Sequence, residues 1–153
     1  MLYEKGKNII KNKYVYVLVI VVALGFVFGI LRWNDNREKE LVDVLEADKI
    51  VEIRYGIDDV IIIDIINDEK SIQELLEFFS QYRVKKDGPR NFTSEFPDEQ
   101  FSFTFEYEDE RFTLPTLFER DFVLIENDQY RITNGPIDYK RIEDFLKKIN
   151  FIE

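Results

Sequence analysis

The chain predicts an α+β fold: an N-terminal transmembrane helix, then a largely antiparallel β-sheet with two amphipathic helices on one face. Three patterns carry this reading. Residues 14–31 read Tyr-Val-Tyr-Val-Leu-Val-Ile-Val-Val-Ala-Leu-Gly-Phe-Val-Phe-Gly-Ile-Leu without a charge. Residues 100–107 alternate, with Phe101, Phe103, Phe105 and Tyr107 on one side and Ser102, Thr104 and Glu106 on the other, the period of a half-buried strand. Two later stretches, Ile72-x-x-Leu75-Leu76-x-x-Phe79 and Ile142-x-x-Phe145-Leu146-x-x-Ile149, set apolar residues on one helix face.

The first stretch is the membrane element. As a helix rising about 1.5 Å per residue it covers roughly 27 Å, near the thickness of a bilayer's hydrocarbon layer. Lys5, Lys7, Lys11 and Lys13 precede it, while Tyr14 and Tyr16 suit one interface and Trp33 the other. A cleaved signal peptide would have a shorter apolar core and a small-x-small site in polar surroundings. Here such a pair, Val27 and Gly29, lies inside the apolar run, so a signal-anchor is expected; the alternative is a secreted soluble domain after cleavage. The positive-inside rule then gives a cytoplasmic basic tail at 1–13, a transmembrane helix at 14–31 and a helical juxtamembrane stalk at 32–48. Residues 49–153 form an extracytoplasmic domain of the cell envelope. Arg32, Arg37 and Lys39 weaken the charge contrast without reversing it. Gly25 and Gly29 form a Gly-x-x-x-Gly pair on one helix face, where a second copy's helix can approach closely to give a homodimer.

Charge divides unevenly. Residues 1–34 hold five basic side chains against Glu4, a net of +4, which leaves −14 on the remainder of a chain whose total is −10. A domain so acidic repels nucleic acid and anionic headgroups, so no nucleic-acid partner is expected, and basic partners suit it better. The sequence has no cysteine and no histidine. Disulfides, thiol nucleophiles, Ser-His-Asp triads and conventional zinc sites are thereby excluded, and no catalytic residue, cofactor or metal is assigned.

Along the domain, Asn34–Ala47 has helical composition. Lys49–Tyr55 and Val60–Ile66 read as a hairpin turning at Gly56-Ile57-Asp58-Asp59, and the second of these strands, apolar on both faces, is expected to be central and covered. Asp64 within it is expected to be buried beside Arg54 or Arg83. Ser71-Ile72-Gln73-Glu74 has capping-box spacing for a helix to about Gln81. After a short strand at Tyr82–Lys86 comes the longest loop, Asp87–Asp98, with Gly88-Pro89 and Pro97. Arg111–Leu117 is a strand that Pro115 pushes toward an edge, Phe122–Glu126 and Gln129–Thr133 are strands about a turn at Asn127-Asp128, and a helix starts at Asp138.

Candidate sites are few. The Asp87–Asp98 loop carries Arg90, Phe92 and Phe96, aromatics beside a cation, the composition of a protein- or peptide-recognition surface. The acidic turn Glu106, Glu108, Asp109, Glu110 lacks the ligand spacing and glycine of a calcium loop and reads as a solvated hairpin end. Paired Asp and Glu residues leave an envelope hydrolase as the alternative function, since glycoside chemistry needs only two carboxylates.

Ala47-Asp48-Lys49-Ile50, the helix start at Asp68–Ile72, Tyr130-Arg131-Ile132 and Asn134-Gly135-Pro136 resemble small membrane-anchored or lipoprotein-type extracytoplasmic domains of Gram-positive bacteria, mostly of unknown function. The resemblance implies a surface location and brings no catalytic residue. The expected function is a non-catalytic binding module, anchored in membrane lipid by residues 14–31, that meets a protein or peptide through a strand edge or the Asp87–Asp98 loop.

Overall fold

The computed structural model describes residues 2–56, 63–91 and 93–150 and divides into two units, 1–37 and 38–153. The first unit is one continuous helix, α1 (Leu2–Asn36). Its segment Tyr14–Asn36 is long and apolar enough to cross a membrane, with a mean hydropathy of 2.8 and none of its apolar window buried. The helix ends with Asn36 Nδ2 donating to the Arg32 carbonyl at 2.8 Å, which satisfies one of the carbonyls a helix terminus leaves open.

The second unit is α+β, with an eight-stranded, wholly antiparallel sheet among the described residues. Its strands are β1 (Lys39–Glu40), β2 (Ile50–Gly56), β3 (Ile63–Ile66), β4 (Arg83–Pro89), β5 (Gln100–Tyr107), β6 (Thr116–Glu119), β7 (Phe122–Ile125) and β8 (Asp128–Ile132). The spatial order is β1-β4-β8-β7-β6-β5-β2-β3, so β5 to β8 form a meander with β2 added at one side and β4 at the other. The helices are α2 (Leu41–Val44), α3 (Glu69–Ser80) and α4 (Tyr139–Asn150). Because β3 ends the sheet on one side and β4 lies next to its other end, α3 carries the chain across the sheet between them.

Alternation in β5 sorts its side chains as its sequence requires: Phe101, Phe103, Phe105 and Tyr107 are buried, while Ser102, Thr104 and Glu106 are partly exposed. From α3, Phe79 stacks on Phe118 of β6 at 4.9 Å and meets Phe103 edge-on at 6.0 Å. From α4, Ile142 and Phe145 are buried, and Tyr139 lies 6.1 Å from Phe101. Offset and edge-on ring pairs of this kind add roughly 0.5–1.5 kcal/mol each beyond the area they bury.

Several expectations change. The α3 N-cap is Asp68, whose Oδ1 accepts from the Ser71 amide at 2.8 Å; Ser71 sits at the third helical position and is not the cap. The segment 32–48 is not one helical stalk. Helix α1 ends at Asn36, β1 pairs with β4, and Leu41 and Leu45 are fully buried in the second unit's core. The buried Tyr107 hydroxyl fastens this stretch by donating to the Leu45 carbonyl at 2.8 Å. Strand β3 is the edge strand and is not central; Ile65 is 52% exposed while Ile66 is buried. Its β-branched residues reported an extended backbone, which says nothing about depth in the sheet. Residues 57–62, with the proposed hairpin turn, lie outside the described residues. Pro115 does not mark an edge: β6 begins at Thr116, after the proline, and pairs on both sides. Asp64 is half-exposed, and Arg54 bonds instead to Glu52 at 2.7 Å and Glu106 at 3.2 Å.

Candidate functional site

The site begins with a tight hairpin. Glu119 pairs with Phe122, so Arg120 and Asp121 alone join β6 to β7, and Arg120 takes the left-handed conformation at φ 41°. In a two-residue hairpin the turn must match the strands' right-handed twist, which calls for positive φ whatever residue is present. The next hairpin, β7 to β8, turns the same way at Glu126, φ 52°. Its turn is Glu126-Asn127, one residue before the expected Asn127-Asp128.

Pairing Gln100 with Glu119 and Ser102 with Leu117 sets Glu119 on the sheet face opposite the phenylalanines. The chain between β4 and β5 nevertheless covers it, leaving it 3% exposed. Its Oε1 accepts from the backbone amides of Glu95 and Phe96, each at 2.8 Å, and Oε2 accepts from Gln100 Nε2. Burial by itself would raise the Glu119 pKa. The amides of Phe96 and Glu95 and the Gln100 side chain outweigh it and hold the carboxyl below its ordinary value of 4.5. The neighbouring Arg120 guanidinium lies 4.2 Å above the Phe96 ring and bonds to Glu99 at 3.1 Å. Two consecutive hairpin residues thus clamp the loop, one by its amides and one by its aromatic ring and an acid.

Between this loop and the hairpin is a recess of about 270 Å³. Phe96 and Phe122 contribute rings, Asn91, Thr93 and Gln129 neutral polar groups, and Glu95, Glu119 and Asp121 carboxylates. Gln129 donates through Nε2 to Asp87 at 3.2 Å, while its Oε1 is buried without a hydrogen-bond partner among the described residues. Arg131 crosses the Phe122 ring at 4.8 Å and lies 3.6 Å from Asp87.

Of the residues singled out in the sequence, Phe96 is brought to this recess. Arg90 is exposed and turned to the adjacent hairpin, its amide bonding to the Asn127 carbonyl at 2.8 Å and its guanidinium reaching the Glu126 carbonyl at 3.5 Å. Phe92 lies outside the described residues. Tyr14, Tyr16 and Trp33 are exposed along α1, and Gly25 and Gly29 have no atoms over them within 4 Å. In the acidic turn, Glu106 is held by Arg54, and Asp109 lies 3.7 Å from Arg111. Among the described residues no three acidic side chains gather to hold a metal ion. Sequence reasoning missed Glu119, Arg120, Asp121, Glu95 and Gln129. The available signal was the charged pair Arg120-Asp121 between two apolar runs, and it lacks the Gly or Asn that normally announces a hairpin turn.

No protein family, curated protein or solved structure matches the chain.

Proposed function

We propose that the chain is a single-pass membrane protein, N-terminus cytoplasmic, whose acidic domain stands outside the cytoplasm of a bacterial envelope and binds a protein or peptide partner without catalysis. The carrying observation is the solvent mismatch of α1, whose apolar side chains from Tyr14 to Leu31 have no protein cover. Lipid is the medium in which that surface costs nothing. The N-terminal lysines favour a cytoplasmic tail, and Gly25 and Gly29, open along one face, suit helix pairing with a second copy. We read α3 and α4 as lying together over the phenylalanine face, which leaves the opposite face and its clamped loop for recognition.

The recess favours binding over hydrolysis. Glu119 already accepts three hydrogen bonds from the loop and Gln100, which commits its carboxylate to holding the loop and leaves it unavailable as one of a pair of catalytic acids. A loop held at Glu95, Phe96 and Glu99 by a buried carboxylate and an arginine suits a binding surface. Extraction tests the anchor: in alkaline carbonate the full chain stays with the membrane fraction. Recovery in the supernatant overturns the anchored reading.

A further inference from the structure

The sequence holds a single Asn-Gly pair, Asn134-Gly135, and from its setting we infer that Asn134 is a site of spontaneous deamidation, closed while the chain is folded and open to reaction when the junction between α3 and β4 comes apart. Gly135 takes φ 119°, in the left-handed region that favours glycine, so the pair follows from the turn. The Asn134 side chain reaches across to the chain between α3 and β4. Its Oδ1 accepts from the Arg83 amide at 2.8 Å, and its Nδ2 donates to the Gln81 carbonyl at 2.7 Å. A backbone N–H needs an oxygen and a carbonyl needs a donor, so these two partners fix which way the side-chain amide lies. The preceding residue extends the clamp, the Thr133 amide donating to the Arg83 carbonyl at 2.9 Å.

Glycine leaves its own nitrogen uncrowded, and no atom lies within 4 Å of where a Cβ would stand on Gly135. In an opened chain that nitrogen attacks Asn134 Cγ. Its proton passes to the departing Nδ2, which leaves as ammonia, and a succinimide closes. Water then splits the ring, at the Cγ–N bond to give aspartate or at the original peptide bond to give isoaspartate. Nothing is oxidised or reduced, and water is the only co-reactant. The folded chain blocks the first step, because a side chain bonded at both amide atoms to another segment is not free to turn Cγ onto the Gly135 nitrogen. The product does not fit the clamp. Aspartate presents an ionised oxygen to the Gln81 carbonyl, two acceptors with no proton between them, and isoaspartate lengthens the backbone by a methylene. Opening of the junction is thereby recorded as a permanent change in the chain.

The experiment incubates the full chain at mildly alkaline pH, either folded in neutral detergent or unfolded in guanidinium chloride. The tryptic peptide that follows Arg131 and ends at Lys140 is then quantified by mass spectrometry, with isoaspartate resolved by chromatography. Product should form in the unfolded chain and at least roughly tenfold more slowly in the folded one, the factor that a modest local opening energy gives. The comparator is the double variant Asp109→Asn, Glu110→Gly, which puts the same dipeptide in the exposed acidic turn, where Glu110 already has φ 62° and Asp109 bonds locally to Arg111. There the folded chain should react within about threefold of its unfolded rate. Far-ultraviolet circular dichroism checks that the variant is folded, and the wild-type comparison decides without it. Equal folded-state protection of the two pairs overturns the proposal, because folding in general and not the clamp then shields Asn134. Equal rates in the folded and unfolded wild-type chain overturn it as well, as does absence of product from the unfolded chain. Asn134→Asp, one of the two products, should lower the midpoint of denaturant unfolding, and an unchanged midpoint overturns the stated effect on the clamp.

Discussion

Phe26 and Phe28 are 71% and 65% exposed, whereas Phe79, Phe103 and Phe105 are fully buried. The same side chain thus occurs in two settings within one chain, and the difference is in what surrounds it. In the second unit, phenylalanines alternate with polar residues and find one another across strands. In α1 they belong to an uninterrupted apolar helix that leaves them uncovered. Burying one such side chain is worth about 1.5–3 kcal/mol. A run of exposed ones favours a different solvent, which is the reason for proposing that the first region belongs to lipid and the second to water.

Substitutions break this contrast in graded ways. Phe103→Ala removes the ring that Phe79, Phe101 and Phe118 touch, and should cost about 3–5 kcal/mol, read as a lowered midpoint in denaturant titration. Val22→Arg, in the middle of the apolar run, should leave the second unit's unfolding midpoint unchanged. It should oppose membrane insertion by about 2.5–3.5 kcal/mol, measured as the inserted fraction. Val51→Arg, at an apolar but 43% exposed position in the domain, should leave both the unfolding midpoint and the inserted fraction unchanged.

Glu119→Ala leaves two loop amides without their acceptor and should cost roughly 2–3 kcal/mol by the same titration. Its pH signature follows from a folded-state pKa below 4.5. The folded state binds this proton less readily than the unfolded chain, so the Glu119 contribution is complete above the ordinary value. It is lost as the pH falls through the lower folded-state value, and the Glu119→Gln chain should lack that acid-side component. Glu126→Gly, which relieves a left-handed glutamate, should stabilise by about 0.5–1 kcal/mol, seen as a small rise in the thermal midpoint.

These contrasts also mark what the sequence made legible. Strand β5 and helices α3 and α4 were readable because each keeps a single period over several residues, and the expected cap at Ser71 missed the observed Asp68 by one turn. The edge position of β3 was hidden because partner strands 40 residues away decide depth in a sheet: β2 pairs with both β3 and β5, leaving β3 outermost. Leu41 and Leu45 looked like stalk residues because their cover comes from remote elements, including Tyr107, whose hydroxyl reaches the Leu45 carbonyl. The recess was the least visible feature. Glu119 looks like one of many acidic residues until β5 pairs with β6 and the loop closes over it, and Arg120 adopts positive φ without the residue type that advertises it.

The central claim is that α1 crosses the bilayer with residues beyond Trp33 outside, and the lack of cysteine makes it directly measurable. Single cysteines are placed at Lys5 and at exposed Glu108, and intact cells are treated with a membrane-impermeant maleimide. The account predicts labelling at Glu108→Cys in intact cells and at Lys5→Cys only after lysis. Labelling of Lys5→Cys in intact cells, or protection of Glu108→Cys until lysis, would contradict it.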